Sequence, residues 1–410
     1  MSCLALLLGT GCIGSASKNK RDNRETDNIV QLAVRFQNDA EFRRSTLEHS
    51  LVNKANGYAQ IRLKNYNQKK WNALKEANFL SRPVVHTDFG LATPDAPAES
   101  NGTWVSMKPA PFKITRANLL KRGEEMFTRY PAQLMPSLMQ ALESDTHLAK
   151  YGLWQTKKSV GGLVWMALPG GVYPAVTCSS CHASADAAGT YRPGRPNHRI
   201  NIGKAKDDFF RMRTLYSTWG PGRVDVAGDK QDNPVVIADV RAVRYQTHIH
   251  RTANVKNSLA ALATRIETGL ILAHRQSVRP APIDAFALAY YLWSLGDTLN
   301  PLPSAQQPGR KVFARHCANC HQGKGLSGRP VDAARMKSPV AVHPSSVRGT
   351  GKLNAVSLRG VSHRGRLLFG GDATDFKSLL DPGRKTGGHH FGQHLDDRQR
   401  QDLVIYLESL

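Results

Sequence analysis

Acidic residues and spare cysteines are both scarce in this chain of 410 residues. Only 32 Asp and Glu stand against 56 Lys and Arg, giving a formal net charge of +24. The basic residues are spread along the whole length rather than gathered in a tail. Such a field steers acidic partner proteins and favours anionic membrane surfaces, with a strong dependence on salt. Nucleic acid is the other partner that charge suggests, but no RNA- or DNA-binding motif accompanies it. Six cysteines are present, and four fall in two short motifs while Cys3 and Cys12 lie in the first dozen residues. None remains for a structural disulfide. Beyond the N-terminal run no segment reaches the roughly 18 uninterrupted apolar residues of a membrane-spanning helix. Methionine is absent after Met336.

What is present is a pair of pentapeptides, Cys178-Ser-Ser-Cys181-His182 and Cys317-Ala-Asn-Cys320-His321. Each is a complete C-x-x-C-H site for covalent attachment of haem c. Two thiols one helical turn apart can each add to a porphyrin vinyl group, and the adjoining histidine is then held under the iron. The sequence therefore predicts two covalent haem c groups, with Cys178, Cys181, Cys317 and Cys320 as tethers and His182 and His321 as proximal iron ligands. Zinc is the competing reading. Zinc ribbons place their cysteine pairs about 15–20 residues apart, whereas Cys181 and Cys317 are 136 positions apart.

The opening residues, a short apolar run ending at Gly-Thr-Gly-Cys12, read as an export signal over 1–16. Two processing readings stand: a lipoprotein signal cleaved before Cys12, or an ordinary signal cleaved after Ala16. Either gives a periplasmic protein or a lipoprotein anchored to the membrane and facing the periplasm.

An internal repeat organises the rest. Gly123 to Phe127 before the first motif matches Gly309 to Phe313 before the second, and Tyr291-Leu-Trp-Ser-Leu295 matches Tyr406-Leu-Glu-Ser-Leu410. These read as the first and last helices of two cytochrome c domains, with Gly123 meeting Tyr291 and Gly309 meeting Tyr406. Between them Val240-Arg-Ala-Val243 matches Leu358-Arg-Gly-Val361. The expected fold is mainly α: an N-terminal extension over 17–112 and two tandem cytochrome c domains over 113–300 and 301–410. The first carries a large insertion, about Pro131 to Ala175, read as a helix followed by a short strand or hairpin.

The second ligand of each iron decides between carrier and enzyme, because it blocks the position where a substrate would bind. His274 lies 17 positions before Tyr291 and His389 lies 17 before Tyr406. These two are the candidate distal ligands. Rivals are His248, His250 and Met212 for the first iron, and His390, His363 and Met336 for the second. Arg192, Arg195 and Arg199 are candidates for pairing with haem propionates, and Trp219 for an electron relay between the haems.

On the second haem motif, Ser357-Leu-Arg-Gly-Val-Ser362, Gly370-Gly371 and the closing helix, the region from Gly309 to Leu410 resembles the C-terminal part of bacterial di-haem cytochrome c peroxidases. The resemblance implies paired haem domains. It departs from the family at Leu368-Phe369-Gly370-Gly371, where such peroxidases carry a histidine, and in lacking a methionine before the last helix. The sequence therefore favours single-electron transfer through two six-coordinate haems. The alternative is a peroxidase-like enzyme that reduces hydrogen peroxide at one haem with electrons drawn through the other, His248 or His250 acting as acid-base group.

Overall fold

The computed structural model describes residues 28–90, 94–95, 103–108, 111–211, 215–225, 232–304, 306–338, 347 and 349–410. The export signal with Cys3 and Cys12, the rival ligand Met212 and most of the Pro- and Ala-containing stretch at 93–98 lie outside them. No described helix is long and apolar enough to cross a membrane.

Three helices form the start of the extension: α1 (28–38), α2 (Ala40–Ser50) and α3 (Gly57–Asn67). Asp39 caps α2 by accepting from Phe42 N at 2.8 Å, and Asn56 caps α3 by accepting from Ala59 N at 2.9 Å. The extension docks through buried polar chemistry as well as apolar packing. Arg43 donates to the Tyr66 hydroxyl at 3.0 Å, which donates to Glu267 at 3.0 Å, with Arg43 itself 3.8 Å from that carboxylate.

Helix α4 (Arg116–Arg129) begins at the Thr115 cap. After it come the short α5 (Asp145–Lys150), α6 (Cys178–His182) and α7 (Ile202–Phe210), then the long α8 (Leu259–Ala273) and α9 (Pro282–Ser294). Glu267 lies on α8, so the extension is tied to the core of the first motif's region. The remaining helices are α10 (Pro308–His316), α11 (Phe376–Leu380) and α12 (Asp397–Glu408).

The two helix crossings that the repeat implies are both present. A Cβ on Gly123 would lie 2.2 Å from the Ala287 carbonyl oxygen and 2.6 Å from Tyr291 Cβ, so only glycine lets α4 reach α9. On Gly309 it would lie 1.9 Å from the Asp402 carbonyl oxygen and 2.7 Å from Tyr406 Cβ, where α10 meets α12. Phe127 packs on Tyr291 with ring centroids 5.5 Å apart, and Phe313 on Tyr406 at 5.2 Å. The first crossing also carries a buried ion pair, Arg122 donating to both oxygens of Asp284 at 2.7 and 2.9 Å.

The strands are short. They include β1 (Leu80–Pro83) and β2 (Val105–Ser106) in the extension, then β3 (Gln133–Leu134), a small β4 (Gln155–Thr156) and β5 (Ser159–Val160) hairpin, and the longer β6 (Leu163–Leu168) and β7 (Gly171–Val176). Five of them form one antiparallel sheet in the order β2-β1-β6-β7-β3. Leu80 pairs with Ala167 and Pro83 with Val164, so extension and insertion share a sheet instead of standing apart. Asp88 fastens the join, accepting from Arg82 at 2.8 and 3.0 Å, from Val85 N at 2.9 Å and from the Trp165 indole at 3.0 Å. In the insertion, the stretch read as a helix is a 3-10 helix over Pro136–Leu142, followed by the β6-β7 hairpin. Helices and small sheets together are consistent with a mainly α fold.

The paired Val-Arg-Ala-Val and Leu-Arg-Gly-Val elements meet. Arg241, held by the buried Asp239 at 2.5 Å, also donates to the Gly360 carbonyl at 3.4 Å. From the other side the Arg359 guanidinium lies 4.6 Å from the centroid of the Tyr245 ring.

Candidate prosthetic-group sites

Each C-x-x-C-H segment is shaped by hydrogen bonds of the surrounding chain. In the first, Thr177 caps α6 by accepting from Ser179 N, while its own N–H goes to Ser180 Oγ at 3.1 Å. Thr177 and Ser180 both donate to the Gly162 carbonyl, at 2.8 and 2.9 Å, and the Trp154 indole donates to Ser179 O at 3.2 Å. Gly162 has φ +63°, and a Cβ there would lie 2.4 Å from Ser179 Oγ. The insertion therefore clamps the Cys178–His182 turn. In the second, the chain leaves α10 in a turn whose Cys320 and His321 N–H groups both return to Cys317 O, at 3.1 and 3.0 Å.

Both motif histidines are held by the same device. His182 Nδ1 is 2.9 Å from the Ala238 carbonyl oxygen and His321 Nδ1 is 3.2 Å from that of Leu326. A carbonyl only accepts, so Nδ1 carries the proton in each ring, leaving the Nε2 lone pair free for a metal. Burial keeps both rings below the usual histidine pKa, in the neutral form that ligation needs. Burial also pushes the thiols of Cys178 and Cys317 up to about 11 and that of Cys181 up to about 12. A redox dithiol has the opposite character, a lowered thiol pKa. Nor do three His, Cys, Asp or Glu side chains converge on one point as a zinc site would need, among the described residues.

Each motif opens on its own cavity. The first is bordered by Cys178, His182, Phe127, Leu292, His250 and Arg265. The second is bordered by Cys317, Cys320, His321, Met336, Phe376 and His389.

Opposite His321 stands His389, their ring centroids 6.5 Å apart. Two imidazoles on opposite sides of one ion, each nitrogen about 2 Å from it, have centroids roughly 6.3 Å apart. The buried His389 Nδ1 has no hydrogen-bond partner, and burial pushes the pKa of the ring down to about 4. These residues fit an axially ligated iron. The loop is tightly held: His389 N donates to Met336 O at 2.8 Å, and Arg384 donates to the carbonyls of Gly388 and His389 at 2.8 and 2.9 Å. Met336 thus borders the cavity and supports His389. Of the other rivals, His390 Nδ1 bonds Gln393 at 3.0 Å and His363 Nδ1 bonds Ser362 at 3.2 Å.

The first cavity differs. His274 is not brought to it: the residue caps the C-terminus of α8, with its ring 5.0 Å from Phe79 and 6.0 Å from Tyr130. His250 borders the cavity instead, at φ +69°. Its Nε2 accepts from Arg265 Nε at 3.0 Å, and its ring stands edge-on to Tyr58 of the extension at 4.9 Å. His248 lies in the short strand His248–Ile249, its Nδ1 bonded to Thr247 Oγ1 at 3.0 Å. Arg192 is on the surface, paired with Asp186 at 2.6 Å, and neither it nor Arg195 nor Arg199 borders either of these two cavities. Trp219 borders neither cavity and packs against Gly203, its indole donating to Asp232 at 2.8 Å. Arg251, Arg364 and Arg366 border both cavities. Nothing in their sequence spacing singles them out.

Comparison with known proteins accords with the second site. Residues 306–410 match the sequence family described as Cytochrome c. No curated protein matches the chain. Among solved structures the chain is similar to hydrazine synthase of Kuenenia stuttgartiensis, in a structure pressurised with 20 bar xenon. That alignment has 16% identity, spans 78% of this chain and all of the other, and has a TM-score of 0.38. The segment 306–410, which holds Cys317, Cys320 and His321, is a cytochrome c domain.

Proposed function

We propose that the chain carries two covalent haem c groups, one at Cys178, Cys181 and His182 and one at Cys317, Cys320 and His321, and transfers single electrons through them. A cytochrome c domain implies covalent haem and haem-based electron transfer. The observation that carries the extension to a second group is the shared histidine device: at both motifs Nδ1 is spent on a backbone carbonyl and the histidine borders a cavity. When bound, each haem supplies a reversible one-electron iron couple. The chain's own residues set the rest: His182 and His321 act as proximal ligands, His389 as the second ligand of the C-terminal iron, and the apolar walls exclude water.

The same reading makes the protein exported, since its haems are attached outside the cytoplasm, with acidic redox proteins as partners of its basic surface. An N-terminal lipid on Cys12 would hold it at an anionic membrane.

A second reading, peroxidase-like, is favoured by one observation. His250 accepts from Arg265, so the first site presents a histidine-arginine pair in place of a free ligand. There His250 would move a proton and Arg265 would stabilise negative charge on a bound oxygen. Low-temperature EPR of the oxidised and half-reduced holoprotein separates the two. Signals of both haems that ignore hydrogen peroxide support the carrier. A high-spin signal that peroxide consumes refutes it and supports the enzyme.

A further inference from the structure

Arg251, Arg364 and Arg366 all border both cavities. Each guanidinium has five N–H donors, and most of these are unspent. Arg251 bonds the Leu368 carbonyl at 3.2 Å, while its buried Nε has no partner. Arg364 bonds the carbonyls of Ser357 and, at 3.4 Å, Arg359. Arg366 reaches only the Gly371 carbonyl, at 3.5 Å.

No carboxylate pairs with any of the three among the described residues. The acid nearest in effect, Asp239, is held by Arg241 through both its oxygens, at 3.1 and 2.5 Å. Burial, and then the neighbouring Arg364, push the pKa of Arg251 down to about 10, and burial lowers that of Arg364. Three cations lie together with their charge uncompensated. The buried charge of Arg251 and Arg364 is costly unless paired, and the unspent donors of the cluster match the bidentate geometry of carboxylates.

We propose that Arg251, Arg364 and Arg366 form a single carboxylate site shared by the two cavities, binding propionates of both haems and setting both iron potentials together. The proposal rests on the two-haem reading. Each haem brings two carboxylates, so the cluster can be neutralised from both sides. A positive charge near an iron favours the reduced state. Removing one arginine of a shared cluster therefore lowers both midpoints, whereas an arginine serving one haem alters one.

The test uses exported holoprotein carrying Arg251→Met, Arg364→Met, Arg364→Lys or the surface control Arg192→Met. Haem per chain is counted first by pyridine haemochrome, and each midpoint is then followed by optical and EPR redox titration. One haem per wild-type chain would overturn the two-haem reading and this proposal with it. With two haems retained, the expected result is a fall of both midpoints in each Met variant, a smaller fall in Arg364→Lys and none in Arg192→Met. Movement of one midpoint alone, or of neither, overturns the shared site while leaving the two-haem reading intact. Should the Arg251 and Arg364 variants fail to mature, Arg366→Met decides by the same criterion, its native side chain being tied by a single 3.5 Å bond.

Discussion

Gly387, Gly388 and His389 hold φ of +75°, +68° and +53° in succession, and the third of these carries a Cβ. That conformation costs roughly 1–2 kcal/mol for a residue with a Cβ. Arg384 and the Met336 carbonyl hold it in place, and the return is an imidazole facing His321. Replacing His389 with Ala is expected to convert the low-spin EPR signal of the C-terminal haem to high-spin and leave the signal of the first haem unchanged. Arg384→Ala is expected to broaden that same signal by loosening the loop. His274→Ala leaves both signals as they are. The 17-residue spacing pointed equally to His274 and His389, yet only His389 borders a cavity beside a motif histidine, for a physical reason. The first copy fills the corresponding stretch with the 15-residue helix α8, whereas the second has the five-residue α11 and a glycine-rich loop. Matched distance along the chain is then unmatched distance in space. His250 had no signal beyond its being a histidine, since its placement comes from a left-handed turn and a bond to Arg265.

At the scale of elements, the helix crossings were legible because glycine and aromatic residues recur at fixed spacing and close backbone approach tolerates no Cβ. Gly123→Ala and Gly309→Ala each place a methyl within 2.2 Å of a carbonyl oxygen. Denaturant unfolding should show a loss of about 3 kcal/mol, the upper range for overpacking. The shared sheet was not legible. Its central pairing joins Leu80–Pro83 to Val164–Ala167, short strands far apart in the chain, and periodicity reports an element's own faces but not its distant partner. Asp88 holds that join. Burial alone would raise its pKa, but Arg82, Val85 N–H and the Trp165 indole together take it below the ordinary carboxylate value. A carboxyl with a folded pKa below its unfolded one contributes stability above the unfolded value and loses it as pH falls through the folded one. Asp88→Asn should therefore cost about 2 kcal/mol at pH 7, and the gap from wild type should narrow below about pH 4, as thermal unfolding across pH would show.

At the scale of the whole molecule, the regions around the two C-x-x-C-H motifs touch where Arg241 meets Gly360 and Arg359 meets Tyr245. Two cavities are thereby set side by side with arginines between them. The chain as a whole carries a formal net charge of +24. Electron exchange with an acidic partner protein should slow by about tenfold or more between low and high salt, as steering by opposite charge is screened. Stopped-flow reduction across ionic strength checks this, and a rate indifferent to salt would remove acidic proteins from the set of partners. The charge and the two C-x-x-C-H motifs were plain in the sequence. The arginine cluster was not, because its members come from segments that only the assembled fold brings together.

The central claim is two covalent haem c groups on one chain. Intact mass spectrometry of the denatured, exported protein measures it most directly. The account predicts a polypeptide heavier by two haems, falling to one in a Cys178→Ala, Cys181→Ala double variant and to one in the matching variant at Cys317 and Cys320. A wild-type protein that carries a single haem, lost only with Cys317 and Cys320, would contradict it.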